Sequence, residues 1–340
     1  MRILILYNVA REVRKGSATD LSCEVEIEII APMIEDILRA AGHKVEHRET
    51  TYGIWEQLRD TRGDFDLVFN LAEAFGGTNS YEPLVPAMLE ALQIPYTGAS
   101  ALSMMLTLDK GATKRVAQSL GIRTPCFVIA YDDLPAAVSD LRMPLIVKPL
   151  REEASIGITP DSIVSDLGEL PARVAALHGL YRQPALIEEF IEGREISIGA
   201  IGNGRNVRTL PPLEFLFAEA ASPREQIRSY EYKWGGKKEV MVPAMIDDAL
   251  ATQLHTWTAT LFEACECRDY ARMDYRVNDD GAYLLEVNYN PGIGPNTHGL
   301  NNTLTMMSAF EGGSFETLVL DIVETAAARE GLATAPRIEP

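Results

Sequence analysis

The sequence is poor in cysteine and histidine, short of basic residues, and without a long apolar run. Four cysteines occur in 340 residues (Cys23, Cys126, Cys265 and Cys267), and none forms a CxxC pair. Cys265-Glu266-Cys267 is too tight for the usual zinc knuckle, so free thiols in a reducing cytosol are expected. The five histidines are scattered; His43 and His47 fall in HKVEH, which reads as a strand, so they share neither a helix face nor a metal. Basic residues number 31 against 49 acidic ones, a net charge of −18 that opposes nucleic acid and anionic membranes. No stretch approaches the ~20 apolar residues of a membrane span. The run MRILILYN is too short for a signal peptide. No GxGxxG follows the first strand, which runs into YNVARE, so a nicotinamide dinucleotide has no fingerprint there. The expectation is a cytoplasmic protein without nucleic-acid or membrane partners.

Against these absences, 46% of residues are hydrophobic and 24% charged, the balance of a globular chain. At ~150 residues per domain, the length admits two domains or three smaller lobes. Residues 2–7, the segment HKVEHRE and residues 64–71 read as strands. Between them Val25, Ile29, Ile30, Ile34, Ile37 and Leu38 recur at helical spacing up to Gly42, and a further helix covers 83–92. This alternation predicts a parallel α/β lobe over 1–103. A helix over 107–121, the strand CFVIAY, a short helix, PLIVKPL at 144–150 and a strand pair, ALIEEFIE with REISIGAIG, predict an α+β lobe over 104–196. The third lobe, 197–330, carries a helix near 247–264, a hairpin at 270–289, a Gly/Pro/Asn-rich loop and a helix at 314–329. Residues 218–240 are polar, aperiodic and bear Gly235-Gly236, so a mobile loop is expected there.

The hairpin ARMDYRVNDDGAYLLEVNYN carries the most chemistry. A three-residue loop, Asp279-Asp280-Gly281, would set Asp274 opposite Glu286 and Arg272 opposite Asn288, all on one face. Such an oxygen-rich cluster beside an arginine suits Mg²⁺ bridging phosphates, although a solvated face of cross-strand charge pairs has the same composition. A one-residue slip would move the set to the other face. Lys148 ends an apolar strand before a loop with Ser155 and Gly157, and could hold a phosphate. Taken alone it reads as an ordinary strand-end lysine. Lys110 in TLDKGATK is equally ambiguous, and Glu188 and Glu195 could each be a surface glutamate.

The order of these pieces resembles the ATP-grasp fold and, more closely, D-alanine–D-alanine ligases and their relatives. FNLAEAFGG, VPAMLEALQIPYTG, TLDKGATK, LIVKPLRE and LLEVNYNPGIG carry the resemblance along nearly the whole chain. It implies a three-lobed α/β fold, an N-terminal parallel α/β lobe and two α+β lobes, enclosing ATP. It implies that Lys110 and Lys148 bind phosphates, that Glu188 and the backbone near Ile191 meet adenine, and that Glu195 holds ribose. Lys233 would reach the terminal phosphate, and Arg272 would stabilise an oxyanion. Asp274, Glu286 and Asn288 would bind Mg²⁺, two ions in all, with Mn²⁺ as a substitute. The implied activity is ATP-dependent amide formation between amino-acid-like substrates through an acyl phosphate, by a homodimer. An ATP-grasp ligase with a substrate other than D-alanine, or a silent ATP-binding regulator, are the alternatives.

The first-substrate region departs from the family pattern. The resemblance implies a glutamate, a serine and a tyrosine there. Here Ala154 stands at the serine position beside a retained Ser155, and Trp234 stands at the tyrosine position. The glutamate corresponds to Glu24 or, less well, to Glu26 or Glu12, and Glu73 replaces a histidine often found after the third strand. At the second-substrate site Thr297 would meet a carboxylate, with His298 as its polar neighbour.

Overall fold

The computed structural model describes residues 1–9, 26–217, 222, 226–229, 232, 240–295 and 301–333. Glu12, Glu24, Lys233, Trp234, Thr297 and His298, and most of the segment 218–240, lie outside the described residues.

Strands β1 (Arg2–Tyr7), β2 (Lys44–Glu49) and β3 (Leu67–Leu71) form a parallel sheet in the order β2-β1-β3. Helices α1 (Glu26–Ala40), α2 (Ile54–Thr61) and α3 (Leu84–Ala91) cover it. Alternation sends Ile3 and Ile5 of β1 toward α1, and Leu4 and Leu6 toward α2 and α3. Burial on both faces is why this strand reads as an unbroken apolar run.

The helix expected over 107–121 is two helices, α4 (Ala101–Leu108) and α5 (Lys110–Ser119). Asp109 leaves helical geometry (ψ 96°) and its side chain accepts the Ala112 N–H, so α5 starts at Lys110. Strands β4 (Phe127–Ala130), β5 (Leu145–Pro149), β6 (Ile163–Val164) and β7 (Ala185–Glu189) form a sheet ordered β4-β7-β5-β6, backed by α6 (Leu170–Tyr181).

The second correction is larger. β8 (Arg194–Asn203) does not pair with β7 but joins a different sheet, with β9 (Asn206–Thr209), β10 (Leu213–Leu216), β11 (Val240–Pro243), β12 (Arg268–Asn278) and β13 (Gly281–Asn288). Its order is β11-β10-β8-β12-β13, with β9 on β8. Helix α7 (Asp248–Ala264) packs on one face, while α8 (Thr303–Phe310) and α9 (Phe315–Arg329) lie toward the first lobe. The chain crosses between the sheets at 190–193, so Glu188 and Glu195 line a cleft from opposite walls.

Candidate functional site

The cleft between the four- and six-stranded sheets encloses about 630 Å³ including its mouth. Period-2 alternation builds its floor. On β12, Ala271, Met273, Tyr275 and Val277 enter the core under α7, while Arg272, Asp274 and Arg276 take the opposite face. The register sets Asp274 opposite Glu286 and Arg272 opposite Asn288, as the hairpin reading expects. The route differs. Asn278 pairs with Gly281, leaving a two-residue turn, and Leu285 is an extra residue, a bulge that restores the pairing. In an unbulged two-residue hairpin Glu286 would face Met273 and enter the core. With the bulge, Leu285 and Glu286 both line the cleft.

Asp274 is buried and its carboxylate saturated. Arg272 donates to both oxygens (2.8 and 2.9 Å), Ser197 Oγ to Oδ1, and Asn288 Nδ2 to Oδ2 at 2.9 Å. Burial opposes ionisation of Asp274, but the Arg272 guanidinium outweighs it and holds the carboxyl below its usual range. Glu286 lies 3.1 Å from Lys110 Nζ, which also donates to the Glu152 carbonyl at 2.6 Å. Burial works against the charge on Lys110, yet Glu286 and Glu153 leave it a stronger base than usual.

On the other wall Lys148 Nζ lies 2.6 Å from Glu188 Oε1, and Lys114 Nζ lies 2.8 Å from Oε2. Burial favours the neutral acid, but the two ammonium groups keep Glu188 below the ordinary carboxylate range. Lys148 is thus no ordinary strand-end lysine: it is 6% exposed and ion-paired. Ile191 continues this wall. Glu195 pairs with Arg276 at 2.9 Å, and Arg276 also donates to the carbonyls of Gly193 and Gln226.

Ser155 reaches the cleft from the loop after β5. Ala154 (φ 54°), Ser155 (φ 62°) and Gly157 (φ 76°) are all left-handed, and each non-glycine residue there costs roughly 1 kcal/mol or more. Arg173 of α6 holds the loop from behind, donating to the Gly157 carbonyl and to Ser162 Oγ. Glu73 lies apart from these groups, in a small pocket with Ile27, Ile30, Leu71, Tyr270 and Asn290. Tyr270 shares a row of β12 with Arg272 and Asp274, so this pocket lies on the same face of the strand as the cleft.

Sequence reading missed Lys114, Ser197, Leu285 and Arg276. Two of them were within reach of simple periodicity: Lys114 is one helical turn beyond Lys110, and Arg276 follows Asp274 in the strand alternation.

A family model for the D-ala D-ala ligase C-terminus matches residues 123–324. The chain belongs to the D-alanine–D-alanine ligase family. A D-alanine–D-alanine ligase of Cupriavidus metallidurans is 32% identical over 77% of this chain and 76% of its own length. One of Bordetella petrii is 31% identical over 86% of this chain and 89% of its own. An uncharacterized protein of Sinorhizobium fredii is 37% identical over 76% of this chain and 74% of its own. The crystal structure of D-alanine–D-alanine ligase from Bacillus anthracis complexed with ATP superposes with a TM-score of 0.76. It is 21% identical and covers 97% of this chain and 99% of that one. The fold is therefore ATP-grasp, and the cleft described above lies between the two sheets of that fold.

Proposed function

We propose that the chain is an ATP-dependent ligase that joins a carboxylate to an amine through an acyl phosphate, with amino-acid-like substrates. The observation that carries this reading is the single cleft-side row in which Arg272 and Asp274 face Asn288 and Glu286. Membership of the D-alanine–D-alanine ligase family supports it.

The donor set of Asp274, Glu286 and the Asn288 amide oxygen is all oxygen, which fits Mg²⁺, and an ion on Asp274 would take the place of the hydrogen bond that Asn288 Nδ2 gives it. These residues would hold two ions, with Mn²⁺ as a substitute, and the metal would neutralise charge on the phosphates. Lys110 and Lys148 contribute fixed positive charge at the phosphate end, with Lys233 reaching the terminal phosphate. Glu188 accepts from the adenine amine beside the Ile191 backbone, and Glu195 accepts from ribose hydroxyls. A substrate carboxylate attacks the γ-phosphate and ADP leaves; an amine then attacks the acyl phosphate, and phosphate leaves as the amide forms. Arg272 donates to the oxyanion of that tetrahedral step. Glu24, Ser155 and Glu73 face the first substrate, and Thr297 and His298 the second. We further propose a homodimer through the first lobe, and a cytoplasmic location.

The Ala154, Trp234 and Glu73 departures favour a second reading, with a first substrate other than D-alanine. A silent ATP-binding regulator has less support, because it needs no arginine locked onto Asp274. The test is Mg²⁺-dependent phosphate release from ATP over single and paired amino acids, D-alanine included. Release with D-alanine alone identifies dipeptide synthesis of the family's kind, and release with another pair identifies a divergent ligase. Lys148→Ala should abolish release while leaving the circular dichroism spectrum intact; full activity in that variant would refute the site.

A further inference from the structure

Lys114 is the one member of the Lys114–Glu188–Lys148 cluster that does not line the cleft: it is 0% exposed, whereas Glu188 and Lys148 both face the cavity. Its ammonium sits against oxygens on three separate segments: Glu188 Oε2 on β7 at 2.8 Å, Thr124 Oγ1 at 2.8 Å, and the Leu284 carbonyl on β13 at 3.4 Å. Two hydrogen bonds and one ion contact, all to buried oxygens, leave the group no freedom to swing toward a ligand. Lys114 therefore acts through Glu188 or not at all.

The charge count says how. Lys148 is in contact with Glu188, and a lysine paired with one carboxylate presents no net charge to a phosphate. With Lys114 on the other carboxylate oxygen, the cluster of three carries one net positive charge, and its cation at the cleft is Lys148. We propose that Lys114 is a positioning residue that neutralises Glu188 from behind and so leaves Lys148 electrostatically available to an anionic ligand. This rests on the reading that the cleft takes a nucleoside triphosphate. Burial and the nearby Lys148 depress the basicity of Lys114 to about 8, consistent with a charge placed against its own solvation.

The experiment is calorimetric titration of MgATP into the native chain, Lys114→Met, Glu188→Gln and the double variant Lys114→Met/Glu188→Gln, followed by steady-state kinetics. Lys114→Met should weaken MgATP binding by about tenfold or more and raise KM for ATP, with kcat at saturating ATP changed far less. Because Lys114 acts through Glu188, the double variant should bind within about threefold of Glu188→Gln alone. A purely structural role predicts instead that Lys114→Met costs the same in both backgrounds. Native-like binding by Lys114→Met, or an equal loss in the Glu188→Gln background, overturns the proposal. Should Lys114→Met fail to fold, the comparison of the double variant with Glu188→Gln decides alone: affinities within about threefold support the role, and a further loss of about tenfold refutes it. A native chain that itself ignores MgATP overturns the ATP reading, and this proposal with it.

Discussion

Glu188 is a buried carboxylate with a cation on each oxygen, and its ionisation is coupled to stability. Its folded pKa lies below its ordinary value because Lys114 and Lys148 outweigh burial. The stability it contributes is therefore complete above the ordinary carboxylate value of about 4.3, and is lost as pH falls through the depressed folded value. The melting temperature of the native chain should accordingly fall more steeply below about pH 4 than that of Glu188→Gln. Parallel acid titrations by differential scanning calorimetry check this, and equal slopes would contradict the ion trio. The same residue marks a limit of sequence reading. An isolated glutamate in IEEF carries no sign of two lysines that arrive from α5 and β5.

Among the elements, the loop following β5 is where local geometry is most demanding. A Cβ on Gly157 would lie 2.6 Å from the Pro149 ring, at a φ of +76° that side-chain-bearing residues avoid. Gly157→Ala should therefore destabilise the protein by roughly 1–2 kcal/mol or more and displace Ser155. Arg173→Ala removes the rear anchor of the loop without touching the cleft, and should raise KM for ATP while largely sparing stability. Unchanged KM in Arg173→Ala would show that the loop holds its shape unaided. β1, α3 and α9 were the more legible elements and fall within a residue of their expected limits, because each is an apolar run or an apolar stripe with a clear stop. The break at Asp109 was not legible, since the apolar pattern runs through it and only a side-chain cap interrupts the backbone.

At the scale of the molecule, one core joins lobes that the sequence presents separately. Ile3, Ile5 and Ile34 of the first lobe share a continuous apolar cluster with Ile201, Leu213 and Phe215 of the large sheet and with Leu318 and Ile322 of α9. Asp269 reinforces that junction, accepting from the Gly98 N–H and from Arg329, which in turn donates to the Tyr96 carbonyl. The first lobe and the large sheet should then unfold together. Ile34→Ala, at a fully buried position, is expected to cost about 2–5 kcal/mol and to lower one shared calorimetric transition. Two separate transitions, only one of them shifted, would refute the common core.

By itself the sequence determined the elements with clear local patterning, the three-lobed α/β order, and the strand alternation that sets Arg272 and Asp274 on one face of β12. These are consequences of near-neighbour spacing: 3.6 residues per helical turn and two per strand step. Only the tertiary structure decided that β7 and β8 separate into different sheets, that a bulge at Leu285 returns Glu286 to the cleft, and that Lys114 backs Glu188. Each of these depends on which distant surfaces meet. A strand's hydrogen bonds can be satisfied by several partners, and a buried ion pair is specified by residues tens to hundreds of positions apart, so neither is fixed by local spacing.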